Sequence, residues 1–273
     1  MYLAIDIGGT KTLVACFDAK GQLKNEVKFA TPSDYEAWLE HCKAALTELK
    51  CDDFKAGCVA IPGTADRHNG VGINFGNLSW LDVPIARDVE RLTNCPIVIE
   101  NDAKLAGLAE ANLIKKDFKK ILYITFGTGI GISYIVDGVI DLHTNDLGGA
   151  VLTLEHGGKR VPWDKFASGH AIVRRFGKEA GDITDQAIWK EITHDFSVGI
   201  LDLIAIFQPD VVVIGGGVGV YFDRFGKLLE AALKQYETPL LHIPPLKQAK
   251  HQSKAVLYGC YELTKVHYAA AHR

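Results

Sequence analysis

The stretch Tyr2-Leu3-Ala4-Ile5-Asp6-Ile7-Gly8-Gly9-Thr10-Lys11 opens the chain with an apolar strand that runs into a glycine turn. Residues 12–17 read as a second strand, and residues 23–29 follow as a third strand after a turn at Lys20-Gly21. Apolar runs separated by Gly, Asp and Lys are typical of β-hairpins. The first thirty residues therefore predict an antiparallel run of three strands.

The same arrangement returns in the second half of the chain. Residues 121–126 read as a strand, followed by the glycine turn Gly127-Thr128-Gly129-Ile130-Gly131. Residues 132–136 then form a second strand before the turn Asp137-Gly138. Strand, glycine turn, strand and second turn thus occur twice in one order, which indicates two related halves.

Helical patterns alternate with further strands through the rest of the sequence. Apolar residues at helical spacing predict helices over residues 33–49, 103–112, 171–176, 188–207, 222–236 and 255–267. Residues 56–61, 96–100 and 211–214 read as strands. This alternation favours an α/β protein whose sheets are covered on both faces.

Composition limits the kind of partner that the protein binds. The 273 residues are 48% hydrophobic, enough to bury a sizeable core in one large or two ordinary domains. Lys and Arg total 30 against 33 Asp and Glu, so the net charge of -3 offers no basic field for nucleic acid or an anionic membrane. A small-molecule partner is expected instead.

Two further features predict a cytoplasmic protein. No basic-then-apolar leader precedes the first strand, and no apolar run approaches the roughly 18 residues that span a bilayer. The six cysteines lack the spacing of about two to four residues that structural zinc sites favour. We therefore expect them to be reduced thiols.

Three glycine turns are candidate phosphate sites because glycine lets backbone N–H groups approach an anion closely. They are Gly8-Gly9-Thr10-Lys11, Gly127-Thr128-Gly129 and Gly215-Gly216-Gly217. The Thr10 hydroxyl and Lys11 ammonium suit phosphate oxygens, and Asp6 could hold Mg²⁺ directly or through water. None of the three fits the Walker or Rossmann spacing, and a plain turn that needs glycine for its geometry stays an alternative for each.

Asp102 is the candidate catalytic base. It follows the apolar strand over residues 97–99 and opens a helix, so its carboxylate could project from the end of a sheet. A carboxylate there can accept the proton of a hydroxyl that attacks a phosphoryl group. Because Asn and Asp are also leading N-cap residues, local sequence alone favours a capping role over a catalytic one.

Taken together, six segments resemble the ROK family of bacterial sugar kinases and repressors, in the right order and over nearly the whole chain. The segments are Asp6-Ile7-Gly8-Gly9-Thr10-Lys11, Pro62-Gly63, Asn77-Leu78-Ser79-Trp80, Glu100-Asn101-Asp102-Ala103, Gly127-Thr128-Gly129-Ile130-Gly131 and Ile214-Gly215-Gly216-Gly217-Val218. The resemblance implies an actin-like ATPase (ribonuclease H-like) fold with two related domains around a nucleotide and sugar cleft. We place the domains at residues 1–114 and 115–273, with the last helix, about residues 255–273, able to pack back on the first domain.

The resemblance also implies the reaction, which is the ATP- and Mg²⁺-dependent phosphorylation of a hexose or hexose derivative, usually at the 6-hydroxyl. Asp102 matches the family's general base, Asn77 and Asn101 match its sugar-binding asparagines, and Gly63 lines the same pocket. The three glycine turns, with Asp6, match its nucleotide-binding positions. Family members are often dimers, so a homodimer is one expected state.

Two departures from the family pattern concern the sugar pocket. The family's Gly-Glu-x-Gly-His segment falls on Asn145-Asp146-Leu147-Gly148-Gly149, so Asp146 replaces a glutamate and Gly149 replaces the histidine. Asp164 stands where a further sugar-contacting glutamate is expected. We predict that both aspartates bind sugar hydroxyls, each one methylene shorter than in the family.

The family's cysteine-rich zinc motif is missing, because residues 154–163 contain no cysteine. We predict no zinc, and we interpret His143, His156 and His170 as isolated surface side chains.

Two alternatives to an ATP-dependent kinase stay open. One is a non-catalytic sugar-binding regulator, which the altered sugar segment favours. The other is a polyphosphate-dependent glucokinase, for which the lysines at 115, 116, 119 and 120 offer a basic cluster.

Overall fold

The computed structural model describes residues 1–144, 146 and 148–271, so Asn145 and Leu147 of the predicted sugar segment lie outside the described residues. The first part of the chain forms β1 (Tyr2–Ile7), β2 (Lys11–Phe17), β3 (Leu23–Ala30), α1 (Tyr35–Glu48), β4 (Ala56–Ile61), β5 (Thr64–Asp66), β6 (Val71–Phe75), β7 (Leu78–Val83), α2 (Ile85–Thr93), β8 (Ile97–Asn101) and α3 (Asp102–Ile114). The remainder forms β9 (Lys120–Phe126), β10 (Ile130–Val136), β11 (Val139–Ile140), β12 (Thr153–His156), β13 (Lys159–Pro162), α4 (Asp164–Ala167), α5 (Gly169–Phe176), α6 (Gln186–Phe207), β14 (Val211–Gly215), α7 (Gly216–Gly219), α8 (Phe222–Lys234), β15 (Leu246–Gln248) and α9 (Ala255–Ala271). Short 3-10 helices cover Ala180–Asp182 and Gln252–Lys254.

Internal contacts divide the chain into two compact units. Unit 1 comprises Met1–Ala109 and Lys254–Arg273, and unit 2 comprises Glu110–Ser253. The division falls inside α3, whereas the boundary predicted after residue 114 coincides with the end of that helix. Helix α9 belongs to unit 1, where it packs on β1 and β4.

The main sheets of the two units have one topology. In unit 1 the strand order is β3-β2-β1-β4-β8, and in unit 2 it is β11-β10-β9-β14-β15. In each sheet the first three strands are antiparallel neighbours and the last two are added in parallel. The prediction of two related α/β halves is therefore confirmed. Strands β1 and β9 each end in one of the predicted glycine turns, because a hairpin links β1 to β2 and β9 to β10.

Apolar packing fixes the strands of unit 1. Every residue of β4 is buried, as expected for a central strand covered on both faces. Trp38 of α1 is fully buried, and its indole N–H donates a hydrogen bond to the hydroxyl of Thr12 at 3.0 Å. This contact ties α1 to β2 just beyond the first glycine turn.

In unit 2 the core forms between the sheet and α6, whose inner face includes Phe196. The Phe196 ring stacks on Phe126 at 3.9 Å between centroids, and Trp163 meets Phe126 edge-on. These aromatic contacts anchor the last residue of β9, so they hold the strand end that leads into the second glycine turn. Although α6 has 22 residues, no helix in the described part of the chain is long and apolar enough to cross a membrane.

Helix α9 approaches helix α3 closely at Gly259. A Cβ built at this glycine would lie 2.0 Å from the backbone oxygen of Leu105 in α3. Two residues along the helix, Tyr261 stacks on Phe17 at 5.3 Å between centroids and donates its hydroxyl hydrogen to the oxygen of Ala19. Only glycine therefore fits at position 259, where α9 lies against the backbone of α3.

We expect Gly259→Ala to destabilise unit 1 by about 1 to 3 kcal/mol, the usual cost of overpacking. The backbone oxygen of Leu105 cannot move aside as a side chain could, which outweighs alanine's better helix propensity. Urea unfolding measures the change. Val266→Ala, at a largely exposed position of the same helix, should stay within about 0.5 kcal/mol of wild type. Equal stability of the two variants would contradict the close approach.

The cysteines require a correction. Cys16 in β2 and Cys51 after α1 form a disulfide with an S–S distance of 2.06 Å, so the expectation of six reduced thiols is wrong for this pair. The two residues are 35 positions apart, and they meet because α1 packs on β2, which no local spacing reveals. The other four cysteines are free and buried.

Candidate functional site

The first glycine turn joins β1 to β2 and is held from both sides. The N–H of Gly8 donates to the oxygen of Lys11 at 2.9 Å, which closes the hairpin. From the end of β3, the Thr31 hydroxyl donates to the oxygen of Gly8 at 2.8 Å, and the Thr31 N–H donates to the oxygen of Thr10 at 3.1 Å. Gly9, Thr10 and Lys11 are exposed at the tip, so the turn is rigid at its base and accessible at its end.

Asp6 lies at the end of β1, directly before this turn. Burial raises the pKa of its carboxyl to about 7; the negative charge of Asp102 adds to the increase, and Lys11 opposes it. Asp6 pairs with Ala60 of β4, and Ala60 pairs with Glu100 of β8, two residues before Asp102. The ends of β1 and β8 in unit 1 therefore bring together the predicted metal-binding and catalytic aspartates.

The cap of α3 is made by Asn101 and does not depend on Asp102. The Asn101 Oδ1 accepts the N–H of Lys104 at 3.2 Å, which is the hydrogen bond of an N-cap residue. Asp102 is the first residue of the helix, and its Oδ1 accepts the adjacent N–H of Ala103 at 2.7 Å. The N-cap hydrogen bond to Lys104 is made by the Asn101 side chain. The Asp102 carboxylate lies at the N-terminal end of the helix.

The predicted sugar-binding residues of unit 1 gather around this junction. The Asn101 Nδ2 donates to the backbone oxygen of Gly63 at 3.0 Å. Asn77, exposed between β6 and β7, lies beside the first glycine turn, because a Cβ built at Gly9 would be 3.9 Å from its Cβ. Gly63, Asn77 and Asn101 therefore surround the strand ends that carry Asp6 and Asp102.

A buried ion pair beside this cluster was not found from the sequence. Arg67, which follows β5, makes two hydrogen bonds to Glu100 of β8. Its Nε donates to the Glu100 Oε2 at 2.8 Å, and its Nη2 donates to the Glu100 Oε1. The Glu100 Oε1 also accepts the N–H of Asn101 at 2.7 Å. Glu100 is only 3% exposed, so this pair joins the small sheet β5-β6-β7 to the residue that caps α3.

In unit 2 the second and third glycine segments lie against each other. Within the β9–β10 turn, Gly127 donates its N–H to the oxygen of Gly129 at 2.9 Å, and Thr128 is exposed. Gly216 has a φ of 83°, and a Cβ at this residue would lie 2.4 Å from the Thr125 hydroxyl at the end of β9. The segment Gly215-Gly216-Gly217 is thus packed against the strand that leads into the turn.

Asp164 and Gly149 meet behind the same turn. The Asp164 Oδ1 accepts the N–H of Ile130 at 2.8 Å, and a Cβ at Gly149 would lie 2.2 Å from that oxygen. Burial raises the pKa of the Asp164 carboxyl, although the Ile130 N–H and Lys165 lower it. Asp146, the other predicted sugar ligand of unit 2, is half-buried in a bend.

The chain is similar to known proteins over almost its full length. The model of the ROK family matches residues 2–267. The chain belongs to the ROK family. An N-acetylmannosamine kinase of Escherichia coli is 30% identical over 284 residues, which cover 94% of this chain and 96% of that protein. A glucokinase of Streptomyces coelicolor is 24% identical over 312 residues, which cover 96% and 97%.

Solved structures of the ROK family have the same fold. A ROK family glucokinase from Streptomyces griseus, determined in complex with glucose and AMPPNP, matches with a TM-score of 0.83 at 23% identity and covers 97% of this chain and 99% of that one. The predicted actin-like ATPase fold is confirmed. The bound glucose and AMPPNP are ligands of the Streptomyces griseus protein.

Where the ROK family pattern has its zinc motif, this chain forms the hairpin β12–β13. His156 of this hairpin stacks on Phe166, with its Nδ1 3.9 Å from the Oδ1 of Asp195. Arg175 donates to the Asp195 Oδ2 at 2.8 Å. His156 is exposed like His143 and His170, but its contacts with Phe166 and Asp195 mean that it is not isolated. Within residues 1–144, 146 and 148–271, no group of three or more His, Cys, Asp or Glu side chains is arranged to hold a metal ion.

Proposed function

We propose that this ROK family chain transfers the γ-phosphoryl group of ATP to a hydroxyl of a hexose or hexose derivative, with Asp102 as general base. Its relatives over nearly their full length are a glucokinase and an N-acetylmannosamine kinase, and the chain is a sugar kinase of this class. A glucose-type sugar phosphorylated at its 6-hydroxyl is the substrate that we propose. The observation that carries the proposal is the meeting of Asp102 and Asp6 beside the exposed first glycine turn.

The chemistry of the acceptor needs one base. The sugar hydroxyl donates a hydrogen bond to the Asp102 carboxylate, and its proton passes to Asp102 as the new oxygen–phosphorus bond forms and the bond to ADP breaks. Because Asn101 caps α3, Asp102 can carry that proton without the helix losing its cap. Asn77, Asn101 and Gly63 are proposed to orient the sugar beside Asp102, and Asp146 is proposed as a further ligand of a sugar hydroxyl.

The donor is proposed to bind through the glycine turns. Each of two turns, Gly8-Gly9-Thr10-Lys11 and Gly127-Thr128-Gly129, offers backbone N–H groups and a hydroxyl to phosphate oxygens, and Lys11 adds an ammonium. Gly215, Gly216 and Gly217 offer flat backbone for the adenosine. Asp6 is suited to Mg²⁺, directly or through water, because it is a carboxylate oxygen donor beside a second carboxylate. When bound, the ion neutralises charge on the transferred phosphate.

An ADP-release assay over glucose, mannose, fructose, N-acetylglucosamine and N-acetylmannosamine tests the proposal. We expect Mg²⁺-dependent turnover of at least one sugar, and loss of turnover when EDTA removes the ion. The same panel with polyphosphate, followed by detection of the sugar phosphate, compares the two donors. Faster turnover with polyphosphate at matched concentration would replace ATP as the proposed donor.

Calorimetry distinguishes an enzyme from a sugar-binding regulator. Sugar binding without detectable phosphorylation in the presence of Mg²⁺ and ATP would contradict the kinase proposal. A kinase should bind the sugar and release ADP under the same conditions.

A further inference from the structure

We propose that Asp164 is a positioning residue for the β9–β10 glycine turn and does not bind the sugar. This inference rests on the proposed role of Gly127-Thr128-Gly129 in holding the phosphates of the donor. It deepens that role, because it assigns Asp164 to the nucleotide side of the reaction instead of the sugar side on which the family pattern places it.

Three segments of unit 2 close a ring of hydrogen bonds around this carboxylate. Gly149 donates its N–H to the oxygen of Ile130 at 2.8 Å, and Ile130 donates its N–H to the Asp164 Oδ1 at 2.8 Å. Asp164 completes the ring by donating its own N–H to the oxygen of Gly149 at 3.1 Å. Because Ile130 is the residue after Gly129, the ring fixes the exit of the glycine turn.

The second carboxylate oxygen lies against the turn itself. A Cβ built at Gly129 would be 3.1 Å from the Asp164 Oδ2. One oxygen of Asp164 is thus hydrogen-bonded to the start of β10, and the other contacts the last glycine of the turn. Because Oδ1 accepts the Ile130 N–H, rotation of the carboxylate toward a sugar hydroxyl would break the ring.

The absent side chain at position 149 belongs to the same arrangement. A Cβ at Gly149 would lie 2.2 Å from the Asp164 Oδ1 and 2.8 Å from the Cβ of Ile130. The carboxylate therefore fills the volume that any side chain at 149 would need. In the sequence, the loss of the histidine at 149 and the shorter carboxylate at 164 look like separate changes. In the structure they are linked, because the Asp164 carboxylate occupies the space that a side chain at 149 would need.

This bracing prepares the turn before the donor arrives. A loop already held in its binding conformation loses less conformational freedom on binding, so its affinity for the ligand is higher. A residue that holds a loop in this way affects nucleotide binding and leaves the affinity for the sugar unchanged. The two roles of Asp164 can therefore be distinguished by experiment.

The first test compares Asp164→Leu with Asp164→Asn. Leucine removes the acceptor for the Ile130 N–H, and we expect AMPPNP affinity in calorimetry to fall about tenfold, as is usual for one lost buried hydrogen bond. The KM for ATP should rise by about the same factor, and the KM for the sugar should stay within about twofold. Asparagine keeps an acceptor oxygen, so Asp164→Asn should match wild type in both KM values. A KM for the sugar that rises about tenfold in Asp164→Asn, with nucleotide binding unchanged, would overturn the proposal.

A second variant avoids changing Asp164. Gly149→Ala places a methyl group where the carboxylate lies, so it should weaken AMPPNP binding as Asp164→Leu does. The double variant Gly149→Ala with Asp164→Gly has no clash, because the carboxylate is absent, but it still lacks the acceptor for the Ile130 N–H. It should therefore bind AMPPNP no more weakly than Asp164→Leu. Unchanged AMPPNP affinity in folded Gly149→Ala would contradict the brace.

The outcomes separate this inference from the proposed function. If wild type binds AMPPNP and the variants weaken that binding, the brace stands even when no sugar in the panel is phosphorylated. If the variants leave nucleotide binding unchanged in an active enzyme, the brace fails and the kinase stands. Wild type that binds no nucleotide overturns both.

Discussion

Asp102→Asn should lower kcat by about 10² to 10⁴-fold, the usual contribution of a general base. The amide has the size of the carboxylate but cannot accept the proton of the sugar hydroxyl. The Asn side-chain oxygen can still accept the N–H of Ala103, and Asn101 still caps α3, so the melting temperature should be close to that of wild type. Steady-state ADP release measures kcat, and sugar binding by calorimetry should persist.

Asp34→Asn is a matched control for this variant. Asp34 caps α1 in the same unit, where its Oδ1 accepts the N–H of Ala37 at 2.9 Å. An asparagine caps equally well, so both stability and kcat should remain near wild type. If Asp102→Asn kept more than about a tenth of wild-type kcat, the proton would have another acceptor and the assignment of the base would fail.

Arg67→Met should cost about 3 to 5 kcal/mol of stability, which is the typical result of removing one partner from a buried ion pair. The Glu100 side chain is 4% exposed and would lose the guanidinium that pairs with both of its oxygens. Its Oε1 also accepts the N–H of Asn101, so the loss should reach the residue beside the proposed base. Urea unfolding measures the stability, and kcat should fall together with it.

Two controls give this result a specific cause. Adding Glu100→Gln to Arg67→Met removes the buried charge while keeping an oxygen for the Asn101 N–H, so most of the stability should return. Lys234→Met breaks the exposed pair with Glu230, 2.9 Å long, and should cost at most about 0.5 kcal/mol. A loss below about 1 kcal/mol for Arg67→Met would mean that water replaces the guanidinium.

The hairpins and their repeat could be predicted because apolar runs and glycine turns alternate regularly in β1, β2, β9 and β10. The small sheet β5-β6-β7 and helix α2 were not predicted. β5 has three residues, and register shifts between Thr64 and Ala65 and between Asn74 and Phe75 interrupt the alternation that marks a strand. Such short and irregular strands form because neighbouring segments pair with them, which a local pattern does not show.

Sequence motifs predicted which residues form the candidate site, but they did not predict the contacts that these residues make with one another. That Asn101 caps α3 depends on the orientation of its side chain, which the sequence pair Asn101-Asp102 leaves undetermined. Arg67 and Glu100 are 33 residues apart and meet only when β5 and β8 are both in place. Gly149 and Asp164 were each recognised as departures from the family. Their contact is a matter of tertiary packing, so the sequence could not link them.

The two hairpin turns occupy the same place in their sheets but are held by different chemistry. In unit 1 the Thr31 hydroxyl and N–H brace the turn from a neighbouring strand, and in unit 2 the carboxylate of Asp164 does so from the start of a helix. The strand order is common to both sheets although the side chains that support the two turns differ. A substitution at Thr31 or at Asp164 therefore removes the support of one turn and leaves the hydrogen bonds of the other turn intact.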